Sequence, residues 1–166
     1  MQEPKAFTLT HSGIIPWLTT PCDVSEAHDP QNPSQPLNIK RYNGLWDTGA
    51  SGSMITSKIA KELGLIPTGM QKSFHAQGYS LVNTYMINLT LLNGIQVVDL
   101  KVGEGILPAG IDMLIGMDII SLGDFALTHR NNGTIFSFQI PSTHEYDFVK
   151  QINNGVGMKK KKSKKR

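Results

Sequence analysis

The sequence predicts an all-β domain, folded as a closed barrel with one or two short helices. Two turn signals support this fold class. Asn93-Gly94 and Asn132-Gly133 each lie between apolar segments, and Asn-Gly is the strongest short-range signal for a two-residue hairpin. Segments with strand-like alternation also outnumber helix-like segments along the chain. At 166 residues, the chain is long enough for one domain with a sizeable core.

The N-terminal part is predicted to contain two strands and a loop. Residues 7–15 and 17–24 have the composition of strands, and residues 26–36 follow as a polar segment. Proline cannot donate a hydrogen bond to a sheet, so this segment should lie outside the sheet. Its prolines are Pro30, Pro33 and Pro36.

A tight hairpin is predicted next. Residues 37–41 and 44–46 would form its two strands, with the turn at Tyr42-Asn43-Gly44. This hairpin would place Asp47 at its end.

A short helix is predicted after the hairpin. Thr56 or Ser57 can cap its N-terminus, and Gly64 with Pro67 can end it. The residues expected to face the core are Ile59, Ala60 and Leu63.

Three further hairpins complete the predicted elements. The first covers residues 72–85 and has a glycine-containing tip over residues 76–80. The other two surround the Asn-Gly turns and join residues 85–92 to 95–102, and residues 124–129 to 134–140. One face of the second hairpin is predicted to carry Tyr85, Ile87, Leu89 and Leu91.

The most informative motif is Asp47-Thr48-Gly49, which follows the apolar pair Leu45-Trp46. Well downstream, residues 112–120 combine an apolar pair, a glycine and a short helix. These two signatures, with a helix and a hairpin between them, resemble those of the retropepsin-like, or retroviral-type, aspartic proteases. The resemblance covers residues 38–140, and the pattern is most similar to single-domain cellular and bacterial members such as the DNA-damage-inducible type.

The resemblance implies a role for each residue of the first signature. Asp47 would be the catalytic carboxylate, and Thr48 would bond across the dimer axis to its symmetry mate. Gly49 would let the backbone approach the substrate, which a Cβ would prevent. Ala50 stands where pepsin-like enzymes often carry a hydroxyl, so we expect an optimum less acidic than that of pepsin. Ser51 stands where retroviral enzymes carry an aspartate.

The resemblance also assigns two supporting segments. The retroviral arginine that pairs with the aspartate is replaced by Met117, so the charged pair is missing as a whole. In this family, the apolar-Gly segment of the second signature threads behind the catalytic loop and holds it; here it is Leu114, Ile115 and Gly116. The predicted flap, a hairpin that closes over an extended substrate, has at its tip Ala76, Gln77, Gly78 and Tyr79, with Gly78 as its hinge.

One chain carries only half of the required site. Peptide hydrolysis by carboxylates needs two of them about 3 Å apart, sharing one proton, and Asp-Thr-Gly occurs once. The sequence therefore predicts a homodimeric aspartic endopeptidase. The alternative is a catalytically weak dimer of the same fold that binds peptides or acts as a scaffold. The intact motif favours the enzyme, because a binding module has no need for two carboxylates held together at an electrostatic cost.

Composition sets the remaining expectations. Removing the basic tail at residues 159–166 leaves nine basic against thirteen acidic residues, a net charge of −4. The tail is predicted to be disordered and could contact nucleic acid or another anionic surface nonspecifically. A single cysteine, Cys22, and the lack of a bilayer-length apolar run favour a soluble, cytoplasmic protein. The histidines lack metal-ligand spacing, and no cofactor or metal is expected.

These patterns divide the chain into four parts. They are the N-terminal strands with their proline-containing loop (1–36), a retropepsin-like core (37–141), a C-terminal extension (142–158) and the basic tail (159–166).

Overall fold

The computed structural model describes residues 3–29, 31, 37–75 and 78–154 of the chain. These residues are mostly β-structure with few short helices, as predicted. The elements, in chain order, are β1 (Lys5–His11), β2 (Thr19–Glu26), β3 (Lys40–Trp46), β4 (Met54–Ile55), α1 (Ser57–Leu63), β5 (Gly69–His75), β6 (Gly78–Thr90), β7 (Gln96–Glu104), β8 (Met113–Ile115), α2 (Met117–Ile120), β9 (Asp124–Arg130) and β10 (Gly133–Ile140). A further helical segment, not predicted from the sequence, covers residues 148–154. Within the described ranges, no helix has the length and apolar character needed to cross a membrane.

The strands form two sheets. The larger has seven strands in the order β2-β3-β8-β4-β7-β6-β5, and an additional pairing of β2 with β6 nearly closes it. This confirms the closed-barrel prediction. The smaller sheet is antiparallel, in the order β1-β10-β9. Of the two strands that precede residue 37, β1 therefore belongs to the smaller sheet and β2 to the larger.

An aromatic cluster joins the two sheets. Its members are Phe7, Trp46, Phe125, Phe136 and Phe138, and the Trp46 ring lies 4.8 Å from that of Phe138 and 5.1 Å from that of Phe136. Fully burying one such side chain stabilises the fold by roughly 1.5–3 kcal/mol. Because Trp46 directly precedes Asp47, the cluster also fixes the start of the segment that carries the predicted carboxylate.

The predicted hairpin over residues 37–46 is wrong. The segment 40–46 is one continuous strand, β3, which pairs with β2 on one side and with β8 on the other. Gly44, which suggested a turn, instead allows the Ile115 side chain to pack against β3. A Cβ at Gly44 would lie 2.8 Å from Cδ1 of Ile115. Close strand packing, and not a turn, therefore requires a glycine at this position.

The two Asn-Gly signals have different outcomes. Asn93 and Gly94 both have left-handed backbone angles, with φ of 56° and 66°, and the turn forms where it was predicted. The β9-β10 hairpin forms, but its turn is shifted by one residue to Asn131-Asn132, with φ of 53° and 59°. Gly133 instead accommodates β1, because a Cβ there would lie 2.8 Å from the His11 carbonyl oxygen.

The predicted helix and the alternating strand face are both confirmed. Gly64 ends α1 in a left-handed conformation with φ of 68°, and the helix buries its three predicted core residues. Thr56 occupies the N-cap position, but its side chain makes no capping hydrogen bond. The predicted apolar face around β6 is also buried, through Tyr85, Ile87, Leu89 and Leu91.

Asp124 fastens the C-terminal extension to β9. Its carboxylate accepts hydrogen bonds from the Ser142 hydroxyl and from the backbone N–H groups of Thr143 at 2.9 Å and His144 at 3.0 Å. These bonds, that of Ser142 first, lower the pKa of Asp124 to about 2.

We predict that Asp124→Asn reduces stability at neutral pH and has progressively less effect in acid. Because the pKa is lowered in the folded state, the charge stabilises the fold above the ordinary aspartate pKa of 3.8, and this contribution is lost as the pH falls towards about 2. Thermal unfolding of both proteins between pH 7 and pH 2 tests this. A difference in Tm that stays constant across this range would contradict it.

Candidate active site

Asp47 lies in the loop between β3 and β4, and its backbone and side chain are both held. Its backbone N–H donates to the Ile115 carbonyl at 3.0 Å, and its carbonyl accepts from Ala50 at 3.3 Å. One carboxylate oxygen accepts the Gly49 N–H at 2.8 Å. The side chain is half-buried, and Thr48 and Gly49 are exposed beside it. The carboxylate is therefore fixed in direction and still accessible from solvent.

The second signature lies against this loop. β8 lies between β3, with which it runs parallel, and β4, with which it runs antiparallel. At the end of β8, the Met117 N–H donates to the Ala50 carbonyl at 2.8 Å. A Cβ at Gly116 would lie 2.7 Å from the Gly52 carbonyl carbon and 3.0 Å from the Ala50 oxygen. Any other residue at this position would push the loop away.

The predicted flap is an antiparallel hairpin of β5 and β6. Residues 76 and 77, predicted to be at its tip, lie outside the described residues, and Gly78 follows them with φ of 129°. Tyr79 is exposed on the hairpin, with its ring 6.0 Å from that of Phe74. The Lys72 ammonium lies 4.4 Å from the centre of the Tyr79 ring, within the range of a cation-π contact.

One face of this hairpin is apolar and uncovered. Directly opposed residues of an antiparallel pair share a face, and side chains two positions apart share it as well. Tyr79 and Leu81 therefore lie on the same face as Tyr85, whose side chain enters the core. We call the exposed continuation of this core face the flap apolar face; its members are Met70, Phe74, Tyr79 and Leu81, with exposures of 62, 78, 55 and 61%.

Glu104 fastens the base of the hairpin to β7. One of its carboxylate oxygens accepts the Tyr85 hydroxyl at 2.8 Å and the Asn83 side-chain amide at 3.2 Å. Burial, and then this carboxylate, raise the pKa of Tyr85 above its ordinary value, so the phenol stays a hydrogen-bond donor. The hairpin therefore projects from a fixed base.

Comparison with known families shows which family this chain belongs to. A sequence model described as aspartyl protease matches residues 37–119, which is half of the chain and includes both signatures. The chain belongs to this aspartyl protease family. A comparison with curated proteins finds no match.

Two solved structures are among those similar to this family member. One is a retropepsin-like aspartic protease from Rickettsia conorii, with 14% identity and a TM-score of 0.49, covering 84% of this chain and 98% of that one. The other is the retroviral protease-like domain of Ddi1 from Leishmania major, with 18% identity and a TM-score of 0.40, covering 81% of this chain and 99% of that one.

Three residues of the two signatures are exposed to solvent in this family member: Thr48, Ser51 and Met117. Thr48 makes no side-chain hydrogen bond to any described residue of its own chain, and its side chain is exposed. Ser51 is exposed as well, and Met117, 37% exposed, lies where the retroviral pattern has an arginine. Because neither Ser51 nor Met117 is charged, the ion pair of the retroviral pattern has no counterpart at these two positions.

Sequence reasoning missed a different connection between the loop and the second signature. The Asp118 carboxylate accepts both the backbone N–H and the hydroxyl of Ser53, at 2.8 and 2.7 Å. The signal was available, since Asp118 is the only acidic residue in the first turn of α2, where a carboxylate can accept backbone N–H groups. Its partner could not be read from the sequence, because 65 residues separate the two.

Proposed function

We propose that this protein is a homodimeric aspartic endopeptidase in which each subunit supplies one Asp47. The observation that supports this most directly is the loop geometry: Asp47 is oriented by the Gly49 N–H, on a loop bonded to the second signature through Ile115 and Met117. Orientation of this kind is what a carboxylate needs if it is to act on a water at short range.

The chemistry needs two carboxylates and one water. With one proton shared between them, the ionised Asp47 takes a proton from the water, whose oxygen bonds to the carbonyl carbon of the substrate peptide. The protonated Asp47 of the partner subunit donates to the carbonyl oxygen and stabilises the charge that develops there. When the C–N bond breaks, a proton passes to the amine, and the pair returns to its singly protonated state.

The edge of the smaller sheet offers a surface for the second subunit. Among the described strands, β9 has a neighbour on one side only, so a second copy can pair with its free edge. Antiparallel pairing of two β9 strands about Leu127, which is 42% exposed, would place Asp124 opposite Arg130 of the partner subunit. The Phe125 ring lies 5.9 Å from that of Trp46, so this edge lies next to the end of β3, directly before Asp47.

The two remaining features of the site acquire roles in such a dimer. The exposed Thr48 hydroxyl would hydrogen-bond to the loop of the partner subunit and hold the two Asp47 carboxylates in register. The flap apolar face would close over an extended substrate, whose main chain would bond to the hairpin and whose apolar side chains would cover the exposed rings.

The direct test is digestion of a mixed peptide library by the purified protein, with and without a statine-type inhibitor, read by mass spectrometry. We expect cleavage between apolar residues and its loss with the inhibitor. A protein that binds peptides from the library but cuts none would instead support the peptide-binding or scaffolding alternative.

We predict a bell-shaped pH profile with its optimum between about pH 4 and 6. Only the singly protonated pair contains one base and one acid, so a second proton inactivates it on the acid side and loss of the shared proton inactivates it on the alkaline side. Initial rates on one cleavable peptide, measured from pH 3 to pH 9, test this. An optimum above about pH 8 would indicate a different catalytic group.

A further inference from the structure

We propose that Asp118 is a positioning residue that holds the far end of the catalytic loop through Ser53 and thereby sets the rate of the chemical step. This inference rests on the proposed function, because it concerns how the Asp47 loop is kept in its productive geometry. Asp118 itself is not placed among the groups that react.

The Asp118 carboxylate accepts three hydrogen bonds. One oxygen accepts the Ser53 backbone N–H at 2.8 Å, and the other accepts the Ser53 hydroxyl at 2.7 Å and the Ile119 N–H at 3.0 Å. The Ser53 hydroxyl oxygen in turn accepts the Gly116 N–H at 3.0 Å. Ser53 is 2% exposed, so these bonds are largely protected from competing water.

These contacts complete a series of attachments along the loop. The loop is bonded to the second signature at Asp47 through Ile115, at Ala50 through Met117 and at Ser53 through Asp118. The first two attachments are main-chain bonds, made possible by the close approach that Gly116 allows. The third depends on two side chains, and it is therefore the attachment that a side-chain substitution can remove.

The contacts require a carboxylate in particular. All three groups that face Asp118 donate to it, and the Ser53 hydroxyl oxygen also accepts the Gly116 N–H. An asparagine has the same shape but offers one oxygen and an NH₂ group that can only donate. In Asp118→Asn the side-chain NH₂ group would therefore face an N–H or O–H donor, and at least one hydrogen bond of the carboxylate would be lost.

This connection joins the same two segments as the charged pair of the retroviral pattern, which is missing from this chain. In the retroviral pattern, an aspartate on the loop meets an arginine after the second-signature glycine, whereas here those positions are Ser51 and Met117. In this chain a carboxylate of the second signature, Asp118, bonds to the loop through the hydroxyl and the backbone N–H of Ser53. A neutral partner avoids the desolvation of a second charge.

Loosening this attachment should reduce turnover more than substrate binding. A shift of about 1 Å in a reacting group can cost on the order of a hundredfold in rate. The substrate contacts expected at the flap are made by another element, so they should persist. We therefore expect Asp118→Asn to lower kcat about a hundredfold, with KM changed by less than about threefold.

The test compares wild type, Asp118→Asn, Ser53→Ala and the double variant, with Asp99→Asn as the matched control. Asp99 is an exposed aspartate on β7, so its variant removes one carboxylate without touching the loop. Rates are expressed per active site titrated with a tight-binding statine-type inhibitor, which removes the contribution of misfolded protein. We expect both single variants to be slow and the double variant to be no slower than the slower single variant, because the two residues act as one unit.

A second readout does not depend on activity. Hydrogen exchange should become about tenfold faster at the amides of residues 47–53 in Asp118→Asn and stay unchanged in Asp99→Asn. A kcat per titrated site within threefold of wild type, or unchanged loop exchange, would overturn the inference and leave the proposed function intact. If wild type cleaves no peptide, the proposed function is wrong, and exchange alone decides whether Asp118 holds the loop.

Discussion

Asp47→Asn is expected to lower kcat/KM by at least about a thousandfold while the fold and the dimer stay intact. An amide cannot share the proton of the pair, and it cannot take a proton from the attacking water. The substitution should be tolerated structurally, because an asparagine oxygen can still accept the Gly49 N–H that the carboxylate now accepts at 2.8 Å. Steady-state kinetics on one cleavable peptide measure the loss.

Two controls make this result specific to Asp47. Thermal unfolding and sedimentation should give the same Tm and the same mass for wild type and variant. Asp99→Asn, which removes an exposed carboxylate of β7, should keep full activity. Residual activity of Asp47→Asn within tenfold of wild type would rule out the aspartic protease mechanism.

The parts of the fold that local geometry decides could be predicted from the sequence. Asn93 and Gly94 both adopt left-handed angles, which few other residue pairs tolerate, and the turn formed where it was expected. Gly64 ended α1 for the same reason. The alternation from Tyr85 to Leu91 gave the buried face, because period-two patterns follow directly from strand geometry.

The errors came from positions where distant parts of the chain decide the structure. Gly44 resembled a turn residue, but it lies within a strand because Ile115 packs directly against it. Gly133 likewise accommodates β1, and the turn of its hairpin moved to Asn131-Asn132. A glycine allows both a turn and a close approach, and only the tertiary structure distinguishes them.

The candidate site divides in the same way. The roles proposed for Asp47 and Gly116 come from their motifs, because the family signatures include them. The contact between Ser53 and Asp118 joins two such motifs through side chains that neither motif specifies. The sequence shows an aspartate two residues after Gly116, but only the tertiary structure shows that it accepts hydrogen bonds from Ser53.

The shared site has a consequence that a site within one chain would lack. If each active centre takes one Asp47 from each subunit, a heterodimer of a wild-type and an Asp47→Asn chain contains a single carboxylate and should be inactive. Activity per chain should also fall on dilution below the dimer dissociation constant, because the dimer is lost by mass action.

Excess Asp47→Asn chains are therefore expected to poison the wild-type enzyme. At a ninefold excess and random pairing, about one wild-type chain in ten has a wild-type partner, so activity per wild-type chain should fall about tenfold. The matched control is the same excess of chains that also carry Arg130→Glu, which places a carboxylate opposite Asp124 of the partner subunit in the proposed β9 pairing and should prevent poisoning. Activity that depends on neither concentration nor added Asp47→Asn chains would refute a site shared between subunits, whereas poisoning by both kinds of chain would place the dimer contact outside β9.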